Sequence, residues 1–368
     1  MTIYMIVIFI LIFYQILLIG AENKNYLTKY KQGIQLPKIL YIPVSIFIFF
    51  IAALRVEIGY DFVAYKKLFN IIHESDYSIF ELSNKYNYEI GYIWLNKILP
   101  SFQSVIFYMA LIGVGIKLYY IYKYSDCRNL TLFMYFTGIF LTFDMGVIRQ
   151  GVAIAMYFIV INFYEKNQKI EAIITIFISC LFHISSLIYF FILFFKIEKI
   201  DRKKIYLTTV IASIFIFFNL NNLFIKLFSI LGIDILTTKV EYYSTFYTGD
   251  ISISYFKRVF FLVIFTEFYK KYGFEKKIEK IMFSSYFLSV LFMAIFSSID
   301  ILGGRGVTAF YFTQCFIFAS MYKRVKKRII RIVIVGICVA LSLFAMRDVI
   351  KYGDLSGQRY TPYTWIWS

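Results

Sequence analysis

The stretch Lys169–Lys196, KIEAIITIFISCLFHISSLIYFFILFFK, holds 26 residues between two lysines. That is enough for one membrane-crossing helix, since about 20 apolar residues span a bilayer core. Its flanks point elsewhere. Glu165-Lys166-Asn167-Gln168-Lys169 precedes it, and Lys196–Lys204, with five Lys or Arg, follows. Basic loops stay cytoplasmic, so both ends belong on one side and the chain must go out and come back. The arms Ile170–Phe182 and Ile184–Phe195 would each be about 20 Å long, shorter than a hydrocarbon core of about 30 Å. The pattern predicts a short hairpin whose tip, His183-Ile184-Ser185-Ser186, carries an ionisable group into an outward-facing cavity. Such a residue at membrane depth is a functional candidate by default.

The same logic extends outward along the 368 residues, of which 60% are hydrophobic; soluble chains hold about 45–50% apolar residues. An all-α, polytopic membrane protein follows, because a β-barrel would show short alternating segments instead. The net charge of +17 does not indicate nucleic acid. Most of the 39 Lys and Arg fall in six short loops, at 21–38, 123–128, 165–169, 196–204, 270–280 and 323–331. Placing these loops in the cytoplasm predicts about twelve transmembrane helices, N-out and C-out. The chain is then one domain over 1–368 with outer loops 56–102 and 222–254. Thr2–Gly20 lacks a basic leader and is expected to be a retained helix. Cys127, Cys180, Cys315 and Cys338 have neither a disulfide framework nor metal spacing.

That topology gathers Arg55, Asp61, Glu89, Asp144, Arg149, Gln150, His183, Arg258, Asp300 and Arg305 on the outer side. Arg149 and Arg305 are expected in the first turn of helices entering from outside, where a cation opposes the helix dipole. An anionic ligand reverses that penalty: free helix N–H groups and a guanidinium together form a phosphate site. Gly303-Gly304-Arg305-Gly306 adds backbone freedom for close approach. Gly151 and Ala155 form a small-xxx-small pair for tight helix packing. Blander roles stand beside these. Arginines near membrane ends snorkel to headgroups, which suits Arg258 and Arg55 best, although Arg55 also lies near Asp61. Asp144 and Asp300 are close enough in sequence to pair with Arg149 and Arg305. His183 fits a hydrogen-bonded core residue as well as a catalyst, and His73 a solvated one.

The ordered words Arg55-x5-Asp61-x3-Tyr65, Glu89-x-Gly91-Tyr92, Ile148-Arg149-Gln150-x2-Ala153, Phe182-His183-x-Ser185 and Arg305-x5-Tyr311-Phe312 resemble the EpsG/Wzy-type polysaccharide polymerases of bacterial envelopes. The resemblance covers most of the chain in the family's order, and is weakest in the outer loop 222–254 and the C-terminal tail. It implies a GT-C-like, metal-independent membrane glycosyltransferase without a cofactor, in the bacterial cytoplasmic (inner) membrane with its site facing the periplasm or exterior. Undecaprenyl-diphosphate-linked oligosaccharide repeats would be its substrate. Membrane lipids, a chain-length regulator and a flippase would be its partners. On this reading His183, Asp61, Arg149 and Arg305 are catalytic, and Arg55, Tyr65, Glu89, Tyr92, Gln150, Ser185 and Tyr311 bind substrate. Arginines would hold the diphosphate, and a carboxylate or His183 would take the acceptor proton. A lipid-linked-oligosaccharide flippase, a glycan ligase and a membrane O-acyltransferase are the alternatives.

Overall fold

The computed structural model of the chain describes residues 2–21, 36–195, 197–230, 232, 237–238, 240–241, 253–355 and 360–367. Most of the predicted basic loop 21–38 and much of the predicted outer loop 222–254 lie outside the described residues, as does the side chain of Asp300. The described residues are helical apart from turns, loops and one isolated bridge between Arg55 and Trp365. They form two compact units, Met1–Ala155 with Phe318–Ser368, and Met156–Ile317.

The expectation of about twelve spans is wrong. Four described helices are long and apolar enough to cross a membrane: α1 (Ile3–Gly20 within Thr2–Ala21), and the runs Phe102–Tyr124, Lys277–Ile295 and Arg328–Gly353. A fifth crossing is possible if Arg202–Phe217 and Asn221–Ile230, bent by 95°, form one broken span. Hydropathy located the apolar runs but not the breaks inside them. Lys169–Cys180 is a helix of 12 residues, about 18 Å at 1.5 Å per residue, and Ile184–Phe194 is shorter still. Arg128–Tyr135 passes into an 11-residue π-helical run, Phe136–Gly146. The N-out, C-out orientation depended on the count of twelve and goes with it, and the twelve-span form of the GT-C-like expectation goes too. Exposed apolar side chains such as Phe9 and Ile16 on α1, and Ile329 and Phe344 on the last helix, suit hydrocarbon, and the chain is a multi-pass membrane protein.

In the first unit α2 (Leu36–Ala53) packs on α3 (Phe102–Tyr124), and α1 on α4 (Arg128–Tyr135). Between α2 and α3 lie three short helices, α5 (Phe62–Glu74), α6 (Ile79–Tyr86) and α7 (Ile90–Ile98). Ser78 and Glu81 close a reciprocal capping box on α6, and its hydrogen bonds hold the exposed Glu81 carboxyl below its usual range. The C-terminal tail returns into this unit instead of hanging free. Val56 N donates to the Thr364 carbonyl and Ile366 N to the Leu54 carbonyl, each at 3.1 Å. Tyr360 is fully buried and its hydroxyl donates to the Leu141 carbonyl at 2.9 Å. Tyr360→Phe is expected to cost about 1 kcal/mol by removing that hydrogen bond, measured as a thermal shift of the purified protein; an unchanged melt would mean the tail is not part of the unit's core.

The second unit is built around α8 (Lys277–Ile295), which packs against α9 (Arg202–Ile214), α10 (Ile253–Tyr272) and the short α11 (Thr308–Phe312). Small buried residues on α8 allow close approach: Tyr157 and Ser285 share a hydrogen bond at 2.6 Å, and Ser284 Oγ accepts from Ile197 N at 2.8 Å. Here too the chain reverses after helix α12 (Lys169–Cys180): Ser179 Oγ donates to Ser186 Oγ at 2.8 Å, and the Phe177 and Phe190 rings meet at 5.5 Å.

Candidate functional site

Two ion pairs of the first unit involve sequence-predicted candidates. Lys117, fully buried, donates to Asp144 Oδ1 at 2.5 Å and to the Gly151 carbonyl at 2.8 Å. The other carboxylate oxygen of Asp144 accepts from the Tyr135 hydroxyl at 2.8 Å. A π-helical run changes which side chains face inward, and here it delivers Asp144 to the lysine. Gly151 is required by the same packing, since a Cβ there would overlap the Phe143 carbonyl. Asp144 is thus not the partner of Arg149.

That partner is Glu89. It precedes α7, and its side chain forms an ion pair with Arg149, which lies in the first turn of helix α13 (Ile148–Glu165). The guanidinium carbon stands 4.4 Å from the centre of the Tyr88 ring and 5.8 Å from those of Tyr65 and Tyr92. The protein itself therefore supplies the anion that the helix-dipole argument called for. Among the described residues Arg149 Nε, sealed from solvent, has no hydrogen-bond partner. Asp61, half-buried, accepts from the Tyr65 hydroxyl at 3.2 Å. Burial pushes the Tyr65 phenol well above its usual pKa, and Asp61 pushes the same way against the lowering effect of Arg149. Tyr65 stays a protonated donor. Gln150 is buried beside Arg149 in sequence. Arg55 is buried too, but it donates to the Ala52 and Ile58 carbonyls, a cation closing the end of α2 as the dipole favours.

The remaining candidates belong to the second unit. His183 and Ser185 are both buried. His183 caps the 3-10 turn Ile184–Tyr189: its Nδ1 accepts from Ser185 N at 3.4 Å and lies 2.9 Å from Ser185 Oγ. An accepting Nδ1 places the proton of a neutral ring on Nε2, so Nε2 presents a donor. Arg305 is half-buried in a π-helical run, Asp300–Gly306, followed by a helix of only 5 residues. Gly303 is needed there because a Cβ would overlap the Phe296 carbonyl. Tyr311, half-buried, lies beneath the Arg258 guanidinium, 4.2 Å from the ring centre. His183→Asn, which keeps a capping acceptor, is expected to retain most of the activity if His183 serves only as a cap; loss of activity in a well-folded variant would mark His183 as a base.

Sequence reasoning gave no role to Lys117, Tyr88 or Tyr135. Lys117 carried a usable signal, since a membrane-depth cation implies a partner. Among the described residues no group of three or more His, Cys, Asp or Glu side chains is placed to hold a metal ion.

The words that carry the resemblance thus fall in places of definite structure. No curated protein and no solved structure matches the chain. A family model described as the EpsG family matches residues 38–365, a range that runs from the start of α2 to the Trp365 bridge, and so the chain belongs to the EpsG family of EpsG/Wzy-type polysaccharide polymerases.

Proposed function

We propose that this protein is a membrane glycosyltransferase joining undecaprenyl-diphosphate-linked oligosaccharide repeats into surface polysaccharide on the outer face of the bacterial cytoplasmic membrane. The observation that carries the reading is the cluster of Asp61, Tyr65, Tyr88, Glu89, Tyr92 and Arg149. Tyrosine rings offer apolar faces to sugars with hydroxyls at their edges. An arginine already neutralised by Glu89 suits sugar hydroxyls better than a bare diphosphate.

In the reaction an acceptor hydroxyl oxygen attacks the anomeric carbon of the growing chain. The anomeric C–O bond to the diphosphate breaks, and the polyprenyl diphosphate leaves with the electron pair. The hydroxyl proton goes to Asp61, held by Tyr65, a role that contributes about 10²–10⁴-fold. Arg305, catalytic on the family resemblance, and Tyr311, a substrate contact on it, serve the leaving diphosphate in this reading, and His183 and Ser185 shape their turn. A chain-length regulator and a flippase are the expected partners.

The 95° break between Arg202–Phe217 and Asn221–Ile230 favours one other reading, a flippase, because broken helices often form carrier sites. Surface glycan from a deletion strain separates the two. Single repeats in place of polymer support polymerisation; loss of all surface glycan, with lipid-linked repeats retained inside, supports the flippase.

A further inference from the structure

Among the described residues Arg55, Lys117 and Arg258 are buried and Arg149 largely so, and three of these four have their charge answered. Lys117 pairs with Asp144 and Arg149 with Glu89, while Arg55 closes a helix end on two carbonyls. Arg258 is the exception. It is 8% exposed, on α10 of the second unit. Among the described residues its contacts are one long hydrogen bond to the Ser289 carbonyl, at 3.4 Å, and the face of Tyr311. No carboxylate among the described residues pairs with it. A second cation, Lys257, lies 6.0 Å from the centre of the same ring.

A buried charge without a counter-charge is strongly unfavourable, and an aromatic face offsets only a part of that cost. A side-chain bond fixes the backbone at this point: the Tyr286 hydroxyl donates to the Arg258 carbonyl at 3.0 Å, so α10 and α8 are tied at this level. Unlike Arg149 Nε, no nitrogen of Arg258 is both sealed from solvent and unpartnered. The fork therefore has donors to spare and an opening at which to use them. Its planar geometry matches phosphate oxygens.

We propose that Arg258, with Lys257 beside it and Tyr311 beneath it, binds the diphosphate of a lipid-linked substrate. The proposal rests on the reading above for the identity of that lipid. The missing anion is then supplied by the ligand, and the empty protein carries the cost of an uncompensated charge. Tyr311, which the family resemblance marks as a substrate contact, acts here by holding the guanidinium flat.

The test is thermal unfolding of the purified full chain in detergent, empty, with undecaprenyl diphosphate, and with phosphatidylglycerol. Wild type should be stabilised by undecaprenyl diphosphate well beyond the effect of phosphatidylglycerol. R258M should melt no lower than wild type when empty and lose that extra shift. R258K, which keeps the charge without the fork, should bind the diphosphate about tenfold or more weakly. An R258M protein with the full shift, or one whose empty form melts well below wild type, overturns the proposal, as does a wild type that responds to both lipids alike. If R258M cannot be purified, unchanged binding by R258K overturns it. Failure of the polymerase reading looks different: the wild-type shift and its loss in R258M persist, while a deletion strain still makes polymer of normal length.

Discussion

Lys117→Met alone should destabilise the protein by about 3–5 kcal/mol, the usual cost of stranding one partner of a buried ion pair. The stranded group is Asp144, whose carboxylate has the Tyr135 hydroxyl but would lose the lysine it is paired with. The double variant Lys117→Met with Asp144→Leu should recover most of that loss, because a buried pair adds little over apolar residues of similar volume. Recovery will be incomplete, since the Tyr135 hydroxyl and the Gly151 carbonyl also lose partners. Thermal melts of the two single variants and the double variant form the cycle. Additive losses would show that the two side chains do not depend on each other.

Asp61→Asn should lower the polymerisation rate by about 10²–10⁴-fold, the range for removing a general base. Stability should not follow, because the asparagine oxygen still accepts from Tyr65 and Asp61 is half-exposed. The readout is glycan length in cells together with rate on purified protein, alongside the melt. A variant slowed by less than about tenfold would take Asp61 out of the proton transfer and leave it a positioning residue for Tyr65.

How much of this was legible in the sequence depends on the range of each interaction. Apolar composition and basic loops identified an all-α membrane protein, and the collinear motifs identified its family. The span count failed because a helix of 12 residues and a run that crosses look alike in hydropathy, and because π-helical turns leave no compositional mark. The dipole argument for Arg149 was sound in asking for an anion. It could not say that the anion was Glu89, 60 residues earlier. Asp144 lies five residues from Arg149 yet pairs with Lys117, since the π-helical run turns it away. Sequence proximity proved a poor guide to partnership there and for Arg55 and Asp61. The tail is where the resemblance is weakest, yet Tyr360 is wholly buried; its contact to Leu141 spans 219 residues.

The most direct measurement is reconstitution of the purified protein in liposomes with undecaprenyl-diphosphate-linked repeats as the sole substrate. A ladder of glycans spaced by one repeat, with undecaprenyl diphosphate released in step with each added repeat, is the predicted result. Substrate that remains as single repeats with no diphosphate lipid released, under conditions where the protein is folded, would contradict the assignment as a polymerase.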